Sequence, residues 1–156
     1  MKKMGLISII CILIDQMTKL IITSNFKLNE SISLIDNFFS LTYVRNEGAA
    51  WSIFSGNRLF LILIGVLSVI LIYHFLIKNK SLKKIEIFIY GILLGGIVGN
   101  LIDRILLGYV IDFLDFLILG YNFPVFNLAD TFIVVSVFLI IINMVRGEVH
   151  EISRKC

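Results

Sequence analysis

Four stretches of the chain, 4–22, 59–77, 85–102 and 128–145, are nearly unbroken runs of apolar residues, each close to the roughly 20 residues an α-helix needs to cross a hydrocarbon core. A helix satisfies its own backbone polar groups in lipid, so the runs predict four spanning helices. Over 23–58 the pattern changes. Ile32 and Leu34, then Phe39, Leu41 and Tyr43, alternate with Ser33, Ser40 and Thr42, the period-two signature of half-buried strands. Asp36-Asn37 supplies a turn between them. The pattern predicts a small sheet on the membrane surface, followed by a short surface helix around Ala49 to Phe54. A second long connection, 103–127, joins the last two runs and has no element assigned to it. In the third run Gly91, Gly95 and Gly99 recur every four residues with Gly96 alongside, a spacing that lets helices approach closely.

Composition agrees with lipid as the solvent: 58% of the 156 residues are hydrophobic and 16% charged, and the mean hydropathy is +0.98, beyond the range of an ordinary water-soluble domain. A single proline leaves no room for a low-complexity linker, so 1–156 reads as one membrane domain. The net charge of +3 does not describe a nucleic-acid surface, because the basic residues gather in short segments between the runs. They set orientation instead. Lys2 and Lys3 precede the first run, Lys78, Lys80, Lys83 and Lys84 separate the second and third, and Arg146, Arg154 and Lys155 follow the fourth. Both termini are therefore expected in the cytoplasm and both long connections outside. The opening Met-Lys-Lys resembles the start of a cleavable leader, but no small-x-small pattern follows and Asp15 interrupts the run. Cys11 and Cys156 lie far apart and away from the oxidising side, so no disulfide is expected.

Ionisable side chains in or at the rim of a span are costly and point to function. Asp15 and Lys19 sit one turn apart near the outer end of the first helix, and Asn100 and Arg104 do the same on the third. Asp103, Asp112 and Asp115 follow, and Asn127 and Asp130 open the fourth helix. His74 and His150 belong to the cytoplasmic side, which leaves no base for a Ser-His or Cys-His nucleophile and few nitrogen or sulfur ligands for zinc. No metal or cofactor is called for. Carboxylate chemistry remains: two carboxyls in low dielectric share one proton, the charged one deprotonates an attacking water, and the neutral one supports the oxyanion. Asp130 falls in the first turn after Asn127, a good N-cap. Its partner is Asp112 or Asp115, and spacing leaves that choice open. The main competing class is a proton-coupled small-molecule transporter; it needs acids at mid-depth, whereas these sit at the outer rim. A magnesium-dependent lipid phosphoryl enzyme using Asp112 and Asp115 is a third reading, distinguished by chelator sensitivity.

Four segments, in order, resemble the bacterial lipoprotein signal peptidases: Asp15-Gln16-Met17-Thr18-Lys19; Arg45-Asn46-Glu47-Gly48-Ala49-Ala50-Trp51-Ser52; Gly99-Asn100-Leu101-Ile102-Asp103-Arg104 with Val110-Ile111-Asp112-Phe113; and Phe126-Asn127-Leu128-Ala129-Asp130. Trp51 stands where phenylalanine is common in that family. The resemblance implies that Asp112 and Asp130 are the catalytic pair of an aspartyl endopeptidase. Its substrates would be prolipoproteins, cut before a diacylglyceryl-modified cysteine in the bacterial cytoplasmic membrane. It further implies that Asp15, Lys19, Asn46, Gly48, Asn100, Arg104 and Asn127 shape or support the site; a surface sheet acting as a cradle or lid would in addition place Asn46 to hydrogen-bond substrate backbone. Globomycin-type antibiotics would then occupy the site as peptide mimics. The expected partners are these substrates and membrane lipids, with the chain acting as a monomer and binding no nucleic acid.

Overall fold

The computed structural model describes residues 2–48, 53–78 and 81–153, the stretch 146–153 by its backbone alone. Helix α1 covers Lys2–Asn25 and α2 covers Arg58–Leu71, whose last turns widen into a π-helical segment, Ile72–Ile77. Helix α3 is Lys84–Leu106 and α4 is Leu128–Ser153. Four helical segments, Lys2–Asn25, Arg58–Ile77, Lys84–Leu106 and Leu128–Val145, are long and apolar enough to cross a membrane. They coincide with the four predicted runs. Leu13, Leu20, Leu63 and Phe138 all point away from the protein, an arrangement that water would punish and lipid accepts.

Helix α3 is the hub, with 44% of its most apolar window buried against 11% for α2 and α4. Its glycines explain why. A Cβ on Gly95 would stand 2.6 Å from Cys11 Cβ on α1, and one on Gly96 would stand 2.5 Å from the Ala129 carbonyl on α4. Neighbouring backbones thus press against α3 on two faces. Helix α1 runs parallel to α3, with Ile7 beside Gly91 and Asp15 beside Gly99. Helix α4 runs antiparallel, with Ala129 beside Gly96 and Asn143 Nδ2 donating to Glu86 Oε1 at 3.4 Å. One end of the bundle is closed by an apolar cluster of Met4, Ile77 and Tyr90, backed by Ile140.

The other end carries a sheet. Strands β1 (Ser31–Ile35), β2 (Phe39–Asn46), β3 (Val110–Ile118) and β4 (Tyr121–Asn122) are antiparallel in the order β1-β2-β3-β4. The first hairpin is the one the alternation predicts. Strands β3 and β4 lie in the connection left without elements, and the reason is visible in their surroundings: Ile111 and Phe113 pack on Ile22 and Tyr43, while Val110 and Asp112 line a cavity on the other side. A strand covered on both faces does not alternate. Of the predicted surface helix, 49–52 lie outside the described residues, and Ile53 to Gly56 form a turn. Register pairs Val44 with Asp112 and Asn46 with Val110, across an irregularity between Leu41 and Val44.

Candidate active site

The first turn of α4 shows how sequence sets local geometry. Backbone N–H groups there have no helical partner. Asn127 Oδ1 accepts the Asp130 N–H at 3.0 Å, and Asp130 Oδ2 accepts the Asn127 N–H at 3.3 Å, a reciprocal capping box. Asp15 Oδ1, from α1, accepts the Ala129 N–H at 3.0 Å. Asp130 thus completes its own helix end and still turns a carboxyl into the cavity.

Behind it lies a buried ion cluster. Lys19 Nζ is 2.8 Å from Asp15 Oδ2, 2.8 Å from Asp103 Oδ2 and 2.9 Å from Asn100 Oδ1. Lys19 is 1% exposed, Asp15 0% and Asp103 2%. Three charges survive here because each is paired and hydrogen-bonded. Gln16 joins the cluster by donating to Asp103 Oδ1 at 2.8 Å, and the Ile111 N–H reaches Asp103 Oδ2 at 3.3 Å. Asp103 therefore ties α1 and α3 to strand β3.

Lys19 also decides which way the amides point. An ammonium only donates, so Asn100 must present Oδ1 to it and Nδ2 to the other side, where Nδ2 donates to Asp130 Oδ1 at 2.6 Å. The Asp130 N–H similarly takes Asn127 Oδ1, which leaves Asn127 Nδ2 to donate to Asp112 Oδ1 at 2.6 Å and to Asn100 Oδ1 at 3.2 Å. Asp112 Oδ2 accepts Asn46 Nδ2 at 2.9 Å. Asp112 and Asp130 are thereby held on one amide scaffold and line one cavity of about 610 Å³. Burial pushes the Asp112 carboxyl up to about 7, with the Asp130 charge adding to the rise and the Asn46 and Asn127 amides opposing it.

All nine site residues expected from the sequence converge at this end of the bundle. Arg104 Nη2 donates to Gly48 O at 3.1 Å and so ties the chain after β2 to α3, while its buried Nε has no protein partner. The Asn46 amide lines the cavity, donates to Asp112 and accepts the Gly48 N–H on Oδ1 at 3.0 Å, where the chain folds back after β2. Asp115 stands apart. Three residues along a strand reverse the side-chain direction, and its carboxylate accepts Thr42 Oγ1 at 2.7 Å outside the cavity. Three contributors had no assigned role: Gln16, Arg45 and the segment Phe123 to Phe126, the latter two lining the cavity. Gln16 carried a signal as a polar residue beside Asp15 inside an apolar run, and Gln16, Arg45 and Phe126 all stand in the segments that resemble the family.

Chemically the cavity joins two carboxyls to apolar walls of Val44, Phe123, Phe126, Ile133 and Val134. Such a site suits a substrate with a polar bond to break and long apolar attachments. A smaller hollow of about 240 Å³, lined by Leu61, Ile64, Ile97 and Ile133, reaches the same Asn100, Arg104 and Asp130 from the α2 side. Both acids lie at the end of the bundle rather than at mid-depth. Among the described residues no three His, Cys, Asp or Glu side chains are grouped as metal ligands. Between Asp15 and Asp103 the cation is Lys19 itself.

Comparison with known proteins matches this architecture along almost its whole length. The family model of signal peptidase (SPase) II matches residues 7–146. Lipoprotein signal peptidases of Staphylococcus aureus, among them those of strains JH9 and Newman, are 40% identical over 146 residues, covering 94% of this chain and 90% of theirs. A bacterial membrane enzyme solved by the in meso method at 2.3 Å superposes with a TM-score of 0.87 at 37% identity, over 95% of this chain and 90% of that one. A second, solved by the same method at 1.9 Å, gives a TM-score of 0.82 at 38% identity, over 92% and 93%. With a family match over residues 7–146 and this agreement in sequence and fold, the chain belongs to the signal peptidase II family and is a membrane peptidase that removes signal peptides.

Proposed function

We propose that this peptidase cleaves prolipoproteins immediately before a diacylglyceryl-modified cysteine, with Asp112 and Asp130 sharing one proton and activating water between them. The observation that carries the reading is the amide scaffold that directs both carboxyls into one cavity. Four carboxyls, Asp15, Asp103, Asp112 and Asp130, face the cations Lys19 and Arg104. With Lys19 committed to Asp15 and Asp103, a proton retained by the acid pair lowers the charge left over. The ionised partner takes a proton from water as the oxygen attacks the scissile carbonyl. The protonated partner donates to the oxyanion; on collapse it takes that proton back as the carbonyl re-forms, while the proton taken from water passes to the nitrogen of the modified cysteine, which leaves as a neutral amine. The pair titrates as a unit.

In this reading the sheet end faces outward and both termini are cytoplasmic, consistent with Lys78, Lys83 and Lys84 at the opposite end of the bundle. The acyl chains of the substrate stay in lipid while its peptide enters the cavity. Asn46, Asn100 and Asn127 orient the acids, Asp15 and Lys19 hold the scaffold, and Arg104 with Gly48 fixes the chain at the rim. Globomycin-type peptides act as competitive occupants, and one chain suffices for activity.

The test uses purified protein in detergent with a diacylglyceryl-cysteine peptide. Asp112→Asn and Asp130→Asn should each lower turnover by about 10³-fold or more with melting temperature retained. Activity should persist in EDTA and fall with globomycin. Substantial turnover by either variant, or chelator sensitivity, would remove the acid-pair mechanism.

A further inference from the structure

The hairpin joining β3 to β4 ends in a turn that is chemically out of place. Ile118 pairs with Tyr121, so only Leu119 and Gly120 form the loop, and their φ values are +51° and +80°. A two-residue hairpin with both φ positive normally carries Asn-Gly or Asp-Gly. A leucine in the left-handed region is strained by its Cβ. Here it is also fully exposed, at 103% of the reference area. The turn therefore tolerates backbone strain to hold an apolar side chain clear of every protein contact.

Its surroundings say what receives it. Ile118 is exposed beside it, and the Leu117 N–H bonds the Phe38 carbonyl, bringing exposed Ile35 and Phe38 to the same end of the sheet. Leu114 bridges to Phe126 at the root of the hairpin, and α4 begins two residues later at Leu128. From Tyr121 the chain needs seven steps to enter a spanning helix, at most about 25 Å fully extended. The sheet is thus tethered within that reach of the bilayer the four helices define, and its outer end offers lipid the exposed Leu119, Ile118, Ile35 and Phe38.

We propose that Leu119 and its apolar neighbours insert shallowly into the lipid leaflet on the sheet's side of the membrane, so that the bilayer itself anchors the outer edge of the sheet. Asp36, held by Ser33 Oγ at 3.0 Å in the adjacent turn, keeps that part of the sheet at headgroup level and limits the depth. The anchor reaches the site through stacked rings. Phe38 meets Phe116 edge-on at 5.6 Å, Phe116 stacks on Phe126 at 5.7 Å, and Phe126 meets Phe123, which lines the acid cavity, at 5.7 Å. Lipid contact at the tip thereby fixes the tilt of the sheet over a lipid-bound substrate.

The test places a single tryptophan at the tip of the full chain (Leu119→Trp with Trp51→Phe) in phosphatidylcholine vesicles containing lipid brominated on the upper acyl chain. Blue-shifted emission with strong bromolipid quenching is expected. Water-like emission overturns the proposal, and shielded emission without quenching overturns it in favour of a protein contact. This readout needs no peptidase activity, so its failure is separate from any failure of the proposed reaction. In the chain otherwise unchanged, Leu119→Asn suits the turn better and should keep or raise the melting temperature in detergent. In vesicles it should raise KM about fivefold, the scale of losing part of one leucine's burial. Equal KM for Leu119→Asn and wild type in vesicles also overturns it.

Discussion

The two ends of the helix bundle are built from the same four spans and solve burial in opposite ways. At one end Met4, Ile77 and Tyr90 fill the space with apolar volume. At the other, Asp15, Lys19, Asp103, Asn100 and Asn127 fill it with charge and amide, each polar atom answering another. The apolar end gains from contact alone and tolerates swaps of similar volume. The polar end depends on completeness, because one missing partner strands a charge in low dielectric. Stability is spread along the bundle, whereas the candidate site lies at the end where the interactions are least replaceable.

Three changes test that contrast, in descending order of effect. Lys19→Met leaves Asp15 and Asp103 facing each other without their cation and should destabilise the protein by about 3–5 kcal/mol, read as a fall in melting temperature in detergent. Turnover should fall with it, since only the longer bond from Asn127 Nδ2 then holds Asn100 Oδ1 and keeps its NH₂ toward Asp130. A melting temperature unchanged by this substitution would dissolve the distinction between the two ends. Next comes pH. Asp112 is held near 7 in the folded protein against 3.8 ordinarily, so the folded state binds the extra proton between those values. Stability should therefore decline as pH rises from about 4 to about 7, and kcat/KM should drop about tenfold per unit above about 7 as the shared proton is lost. Asp112→Asn should flatten the stability profile, and pH-independent melting of the wild type would contradict the burial of this group. Smallest is Gly91→Ala at the apolar end, where the new Cβ lies 2.9 Å from Ile7. It should cost about 1–3 kcal/mol through overpacking while turnover per folded molecule stays unchanged.

The parts of the molecule legible in the sequence are those with one-sided surroundings. A spanning helix in lipid declares itself by an unbroken apolar run, and β1 with β2 by alternation of Ile, Leu and Phe with Ser and Thr. Strand β3 does not, because helix ends cover one face and the cavity the other. Taking its residues as a connection also leaves Asp112 and Asp115 indistinguishable by spacing; once the strand exists, their three-residue separation sends them to opposite sides. The family resemblance points to Asp112, the one of the two that faces the cavity. Gln16 and Asp103 find each other only through the parallel register of α1 and α3, which no local pattern encodes. The acids, the lysine and the asparagines were visible singly; their order in the network was not.

The direction of that network has a consequence for turnover. Lys19 and the Asn127 amide both donate to Asn100 Oδ1, the Asn100 and Asn127 amides donate on to Asp130 and Asp112, and an amide NH₂ neither ionises nor relays a proton at neutral pH. The amide layer is therefore an insulator between the ion cluster and the two carboxyls, and protons reach Asp130 from the cavity or from the smaller hollow on the α2 side. In the proposed reaction, a substrate that fills the cavity leaves the α2-side hollow as the route by which the acid pair exchanges protons with water.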